Sequence, residues 1–165
     1  MMNYVTRYLS PIGEITIASN GNAITGLWLE GQKYFADTLG NEYAERTLPV
    51  FEQAKLWLDL YFAGEEPNFA PPIAFDSSPF RMKIWRILQE IPYGKTMTYG
   101  EIANRISKES GKKASARAVG GAIGHNPISL IVPCHRVIGA NGALTGYAGG
   151  LDKKIYFLRL EGHKY

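Results

Sequence analysis

The sequence predicts an α+β fold in two parts: a small strand-bearing unit over residues 1–77, then a mainly helical unit over residues 78–165 that contains a helix-turn-helix. Three observations carry this expectation. Short runs rich in β-branched and aromatic residues, parted by Ser-Pro and Asn-Gly, open the chain. A proline-rich stretch from Pro67 to Pro79 interrupts it. Beyond that stretch, apolar residues recur at helical spacing behind capping residues. At 165 residues with 45% hydrophobic content, the chain has ample material for packed cores.

Taken in order, Tyr4 to Leu9, Gly13 to Ser19 and Ala23 to Leu29 are three expected strands. Asn20-Gly21 favours a tight turn with positive φ at both central residues, so the second and third strands should pair antiparallel. The segment Lys33 to Leu39 has no clear pattern. Val50, Ala54, Trp57, Leu58 and Tyr61 then fall at helical spacing. The carboxylates of this half are scattered, without metal-ligand spacing.

The second unit opens on Ser78, a good N-cap with Pro79 at the first helical position, ahead of the stripe Phe80, Ile84, Trp85, Leu88 and Ile91. Pro92 and Gly94 end that helix. Thr98-Tyr99-Gly100-Glu101 matches a capping box, in which the Thr98 hydroxyl and the Glu101 side chain satisfy each other's backbone N–H groups, so Tyr99 should stand at a helix N-terminus. This helix breaks in the polar stretch Ser107 to Lys113 and a second follows at about Ala116 to Ile123, a helix-turn-helix pattern. Gly120 and Gly121 within it each cost about 1 kcal/mol relative to alanine. Either a close approach to a surface such as a nucleic-acid groove or tight helix-helix packing explains them, and Arg117 is the long cation of the segment.

The turn Gly124-His125-Asn126-Pro127 leads into Ile131-Val132-Pro133-Cys134-His135-Arg136-Val137, which holds the single cysteine of the chain with a histidine beside it. A lone cysteine is either a small buried hydrophobe or a reactive thiol, and sequence neighbours on a strand point to opposite faces. A glycine-laden loop from Gly139 to Gly150 follows. Asp152 can cap a last helix from Lys153 to about Glu161, with Leu151, Ile155 and Leu158 as its apolar face and Gly162 as its stop. Glu161 falls at the edge of that face, where it either takes a partner, His135 or an arginine, or lies exposed near the chain end.

One cysteine excludes an intramolecular disulfide and a multi-cysteine zinc site, so no structural metal and no cofactor are expected. Without a signal-peptide pattern or an apolar run of about 20 residues, a cytoplasmic protein is expected, or a nuclear one in a compartmented cell. The net charge of +3 conceals a split: residues 1–77 carry 4 Lys and Arg against 10 Asp and Glu, and residues 78–165 carry 14 against 5. The basic half calls for an anionic partner, most simply nucleic acid, or is merely a basic surface.

Pro133-Cys134-His135-Arg136-Val137, with Ile91-Pro92-Tyr93-Gly94, Arg117-Ala118-Val119-Gly120-Gly121-Ala122, Asn126-Pro127 and Gly146-Tyr147-Ala148-Gly149-Gly150-Leu151, resembles the O6-alkylguanine-DNA alkyltransferases, also called methylated-DNA-protein-cysteine methyltransferases, from about Pro79 to Gly162. The resemblance implies direct repair of O6-alkylguanine, and of O4-alkylthymine, in double-stranded DNA by irreversible single-turnover alkyl transfer to Cys134. It implies a relay of His135, Glu161 and a water, a turn braced by Asn126, and a contact of Tyr99 with the flipped nucleotide near guanine N3. Carbonyls at Cys134 and Val137 would accept from the exocyclic amine. Arg117 would fill the gap in the duplex, and Ala118, Gly120, Gly121 and Ala122 would line the minor groove. Tyr147, Ala148 and Gly149 would lie at the substrate, with the Ala148 N–H near O6. The first half more weakly resembles the family's ribonuclease-H-like domain, and lacks the zinc ligands that some relatives carry there. A monomer is implied.

The residues suit the chemistry, because a saturated alkyl carbon on an ether-like oxygen calls for a soft nucleophile, and a histidine able to take the thiol proton raises the reactive fraction. Two rivals remain at this point. A helix-turn-helix regulator leaves the cysteine-histidine pair unused, and a cysteine hydrolase leaves the basic half unexplained.

Overall fold

The computed structural model describes residues 2–165. Among the described residues no helix is long and apolar enough to cross a membrane. The chain forms two compact units, one of residues up to Phe75 together with Pro127–Ser129, the other of Asp76–Asn126 and Leu130–Tyr165. The sequence places the break at 77/78 and gives no hint that three residues from the second half join the first unit. They do so by backbone pairing: Leu27 N–H donates to the Pro127 carbonyl (2.8 Å), and Ser129 N–H donates to the Leu27 carbonyl (3.0 Å).

In the first unit β1 (Asn3–Ser10), β2 (Gly13–Ser19), β3 (Ile24–Leu29) and β4 (Tyr43–Glu45) form one sheet in the order β3-β2-β1-β4. The β1-β2 and β2-β3 pairs are antiparallel; β4 lies parallel to β1. Strand β4 is too short to leave a period-2 pattern, and the sequence reading passes over it. The expected tight Asn-Gly turn is corrected. Of that pair only Gly21 takes positive φ (106°). The Asn20 side chain instead accepts from the Asn22 and Ala23 N–H groups (2.9 and 3.0 Å), which widens the connection into an asparagine-capped loop. Helix α1 (Pro49–Phe62) buries Val50, Phe51, Ala54, Trp57, Leu58 and Tyr61.

The second unit holds α2 (Pro79–Gln89), β5 (Met97–Thr98), α3 (Tyr99–Ser110), α4 (Ala116–Gly124), β6 (Val137–Ile138) and α5 (Leu151–Leu160). The Ser78 hydroxyl caps α2 by accepting from Arg81 N–H (3.3 Å). At α3 the Thr98 hydroxyl accepts from Glu101 N–H (3.0 Å) and donates to the Glu101 carboxylate (3.2 Å), so the two side chains of the capping box meet each other. Helix α3 runs on through Ser107 to Ser110, past the expected break, because Gly111 at φ 71° supplies a left-handed stop. Ser115 caps α4. The buried side of α4 is Val119, Ala122 and Ile123, pinned to α2 where Trp85 Nε1–H donates to the Ala122 carbonyl (2.9 Å).

Helix α5 departs from expectation. It starts at Leu151 after Gly150 (φ 102°), with Asp152 inside the first turn and not at the cap. Its buried residues are Lys154, Phe157 and Leu158, whereas Leu151 is exposed. The inward face thus runs 154, 157, 158, 161, rotated from the apolar stripe that the sequence suggests. It carries a lysine inward and sets Glu161 in the core.

Candidate active site

Strand β6 pairs in parallel with β5, Met97 facing Val137 and Thr98 facing Ile138. This short ladder fixes the segment just before Tyr99 beside the segment just after Cys134. Cys134, His135 and Arg136 form a single 3-10 turn behind Pro133, closed by Val137 N–H donating to the Cys134 carbonyl. A turn, unlike a strand, lets adjacent side chains enter the same interior, and Cys134, His135 and Arg136 are all buried.

Asn126 closes the approach to this turn. Its side-chain N–H donates to the Val132 carbonyl (2.9 Å), spanning a loop in which Leu130 holds φ 70°. The polar side chains of Asn126 and Tyr147 also favour the anion of the Cys134 thiol. Burial pushes that thiol up; Asn126, Tyr147 and the Lys154 charge oppose the rise without overcoming it. The resemblance implies a relay that favours the thiolate, and here burial outweighs the groups that would hold the anion.

His135 is fully buried, and its Nε2 lies 2.5 Å from Glu161 Oε2. Facing a carboxylate, Nε2 carries the proton, which leaves the accepting role to Nδ1. Burial lowers His135, against the pull of Glu161, so the ring is neutral at rest. Glu161 is held in turn by Arg136, whose Nε and Nη2 donate to its two oxygens (2.8 and 3.2 Å), and by Gly94 N–H (2.9 Å). Burial alone would raise the Glu161 carboxyl, but His135 and Arg136 overcome it and keep the group well below the usual carboxylate range. Arg136 also donates to the Ile91 carbonyl (2.8 Å) and sits over the Tyr93 ring (5.6 Å).

Lys154 is fully buried. Its ammonium donates to the Val137 carbonyl (2.6 Å) and the Thr145 carbonyl (3.4 Å) and lies 5.9 Å from the Tyr99 ring centre. The Val137 carbonyl, expected to receive a substrate amine, thus already accepts one hydrogen bond. In the glycine loop, Tyr147 and Ala148 are half-buried and Gly149 is buried. The Tyr147 ring stands edge-on to Phe157 at 6.3 Å.

The structure therefore gathers Cys134, His135, Asn126, Tyr147 and Glu161 into one buried polar cluster. Arg117, Ala118 and Gly121 lie elsewhere, on the exposed side of α4. Gly120 packs under Tyr99: a Cβ there would sit 3.9 Å from the ring. At Gly121 a Cβ would meet nothing within 4 Å, so helix-helix packing does not account for that glycine. Two members of the cluster escape the sequence reading. Arg136 stands in the quoted motif, adjacent to His135, and was open to view as the arginine that Glu161 could pair with; Lys154 lies three residues after Leu151 on the last helix, where a lysine reads as solvated. Among the described residues no group of three or more His, Cys, Asp and Glu could hold a metal ion.

Comparison with known proteins agrees with this geometry. Residues 79–163 match the family described as 6-O-methylguanine DNA methyltransferase, DNA binding domain, and residues 3–75 match its ribonuclease-like domain. The Haemophilus influenzae methylated-DNA–protein-cysteine methyltransferase is 42% identical over 159 residues, covering 96% of this chain and 86% of that protein. The constitutive enzyme of Bacillus subtilis is 40% identical over 99% of this chain and 98% of its own. A crystal structure of Mycobacterium tuberculosis OGT in complex with DNA superposes with a TM-score of 0.82 at 42% identity, over 98% of this chain and 92% of that one. With both of its halves matched and a complete buried cysteine-histidine-glutamate cluster, the chain belongs to the methylated-DNA–protein-cysteine methyltransferase family.

Proposed function

We propose that this protein repairs O6-alkylguanine in DNA, and O4-alkylthymine with it, by moving the alkyl group irreversibly onto Cys134. The observation that carries the reading is the arrangement around the one thiol: a buried histidine on the same 3-10 turn, tautomerically fixed by Glu161, whose carboxylate Arg136 balances, with Asn126 bracing the segment that leads into that turn. A cysteine hydrolase would leave the basic second half, 14 Lys and Arg against 5 Asp and Glu, without a use.

In this reading the thiol proton passes to His135 Nδ1 through a water. The Cys134 sulfur attacks the alkyl carbon, the S–C bond forms and the C–O6 bond breaks. Tyr99 donates a proton toward N3, so that the base leaves neutral. Glu161 keeps the imidazole oriented and, already paired with Arg136, has no need of the proton itself. The base must first leave the stack, at a cost of a few kcal/mol. The exposed side of α4 suits this step: Ala118 and Gly121 let the helix approach a minor groove, and Arg117 is the side chain long enough to occupy the vacated space.

Every group named comes from one chain, so a monomer suffices, and a thiol that must stay free suits the reducing cytoplasm. The product is a thioether, whose saturated carbon offers water no acyl centre and whose leaving group would be a thiolate. Limiting protein given excess O6-methylguanine duplex should therefore repair at most one lesion per molecule and gain about 14 Da on the Cys134 peptide. Turnover past one equivalent, or full repair by Cys134→Ser, contradicts the reading.

A further inference from the structure

Lys154 is the buried charge that this mechanism leaves unused. The buried charged side chains among the described residues are Arg136, Lys154 and Glu161, and Arg136 and Glu161 pair with each other. His135 is neutral, so the interior of the second unit holds one uncompensated positive charge. The polar partners of Lys154 are two backbone carbonyls, and no carboxylate lies within ion-pair distance of it. An ammonium in such a setting is strongly disfavoured unless an anion meets it.

The groups that face it are few. Cys134 and His135 stand on the 3-10 turn that Val137 closes, and Val137 is the residue whose carbonyl the ammonium bonds; the Tyr99 ring faces the ammonium from α3, and the positive charge favours the Cys134 anion. Of these, Cys134 becomes an anion in the reaction. The position is also fixed: Lys154 bonds Val137 at the exit of the nucleophile turn and Thr145 in the glycine loop, so its charge cannot swing away to solvent.

We propose that Lys154 is the counter-ion of the Cys134 thiolate, held at the turn by the Val137 and Thr145 carbonyls so that ionising the thiol cancels the one unbalanced charge of the interior. The inference rests on reading Cys134 as the nucleophile. It also explains how a buried thiol can ionise at all: His135 provides a path for the proton, and Lys154 lowers the free energy of the anion left behind. The ammonium is pulled down to about 8 by burial, and a charge on Cys134 works in the opposite direction, as a counter-ion should.

The test follows thiolate formation by its ultraviolet absorbance as pH is raised, with Cys134→Ser as the blank. Because Cys134 is the only cysteine, the signal has one source. In Lys154→Met the ionisation midpoint should rise by about one unit or more, tenfold less thiolate at a given pH, and Lys154→Arg should recover part of the loss. An unmoved midpoint in folded Lys154→Met overturns the proposal.

Should the methionine variant not fold, the reciprocal measurement decides. The Lys154 side chain, followed by NMR of labelled lysine, should lose its proton at lower pH in Cys134→Ser and in the S-methylated protein than in the unmodified protein. Identical titrations overturn the proposal. Neither readout uses DNA, whereas the stoichiometric repair assay tests the nucleophile reading by itself, so the two can fail separately.

Discussion

The two units bury polar groups of different kinds. The first buries neutral ones: Ser19 donates to the Ala23 carbonyl (2.6 Å), and the Gln32 carbonyl oxygen accepts from Leu29 N–H (2.9 Å) and from the Ser129 hydroxyl (3.1 Å). The second buries ions, Arg136, Lys154 and Glu161, around a neutral histidine and a thiol. Neutral hydrogen bonds are worth about 0.5–1.5 kcal/mol each and tie loops to a sheet, which is scaffold work. Buried ions rarely add net stability and are kept where chemistry needs a field, so the contrast locates the chemistry in the second unit before any substrate is considered.

Removing one polar group from each unit is the strongest way to break this contrast. Glu161→Gln strips the charge from a side chain that accepts from Arg136, His135 and Gly94, leaving the guanidinium buried and unpaired. A loss of about 3–5 kcal/mol is expected. Gln32→Ala leaves one N–H and one hydroxyl wanting, which should cost about 1–3 kcal/mol. Denaturant midpoints measured with an unchanged slope check both values. Equal losses would mean that the ionic cluster is ordinary packing.

Acid should sharpen the same difference. Burial lowers His135 in the folded chain, so below about pH 6.5 the unfolded chain binds a proton that the folded chain refuses, and stability falls as pH falls. Glu161 is depressed when folded; its contribution is complete above about 4.3, the unfolded value, and is lost progressively as pH drops further. Both act in one direction. Thermal melting should fall steadily from pH 7 to pH 4 and beyond, and Glu161→Gln should flatten the lower part of that fall. A melting temperature that is level across this range contradicts the neutral-histidine, ionised-glutamate assignment.

How much of this was legible in the sequence differs by element. Caps at Ser78 and Thr98 and the helical stripe before Tyr61 were readable because they depend on a few adjacent residues. Strand β4, the parallel β5-β6 pair and the attachment of Pro127–Ser129 to the sheet were not, since each is decided by a partner far along the chain. The Cys134-His135 pair was readable as a pair, but its geometry depends on a 3-10 turn that no periodicity announces. Lys154 was hidden for another reason: a lysine on a helix is taken as solvated unless something draws it inward, and what does so here is the interior it enters.

A smaller effect is expected on the exposed side of α4, where function would rest on shape and one charge. If Arg117 occupies the place of the extruded nucleotide, Arg117→Ala should slow repair of duplex DNA by about tenfold or more, because it removes part of the compensation for unstacking, worth a few kcal/mol. Reaction with free O6-benzylguanine, which has no stack to leave, should change little. Tyr99→Phe should slow both reactions, since the leaving base needs its proton in either substrate. Equal slowing of the two substrates by Arg117→Ala removes its assigned place.

Gly121→Ala should have the smallest effect, and an opposite sign in two measurements. A Cβ at this position meets nothing within 4 Å, and the residue lies inside α4 with ordinary helical geometry, so alanine should stabilise the free protein by about 0.5–1 kcal/mol through helix propensity. No contact within the fold offsets the helix propensity given up at this position. A groove wall brought close to the helix backbone supplies the reason, because the added methyl would stand between them. The variant should therefore melt higher yet bind duplex DNA more weakly, with the salt dependence of binding unchanged because no phosphate contact is lost. Weaker melting would show that Gly121 is packed after all, and unchanged DNA affinity would move the contact surface off this face of α4.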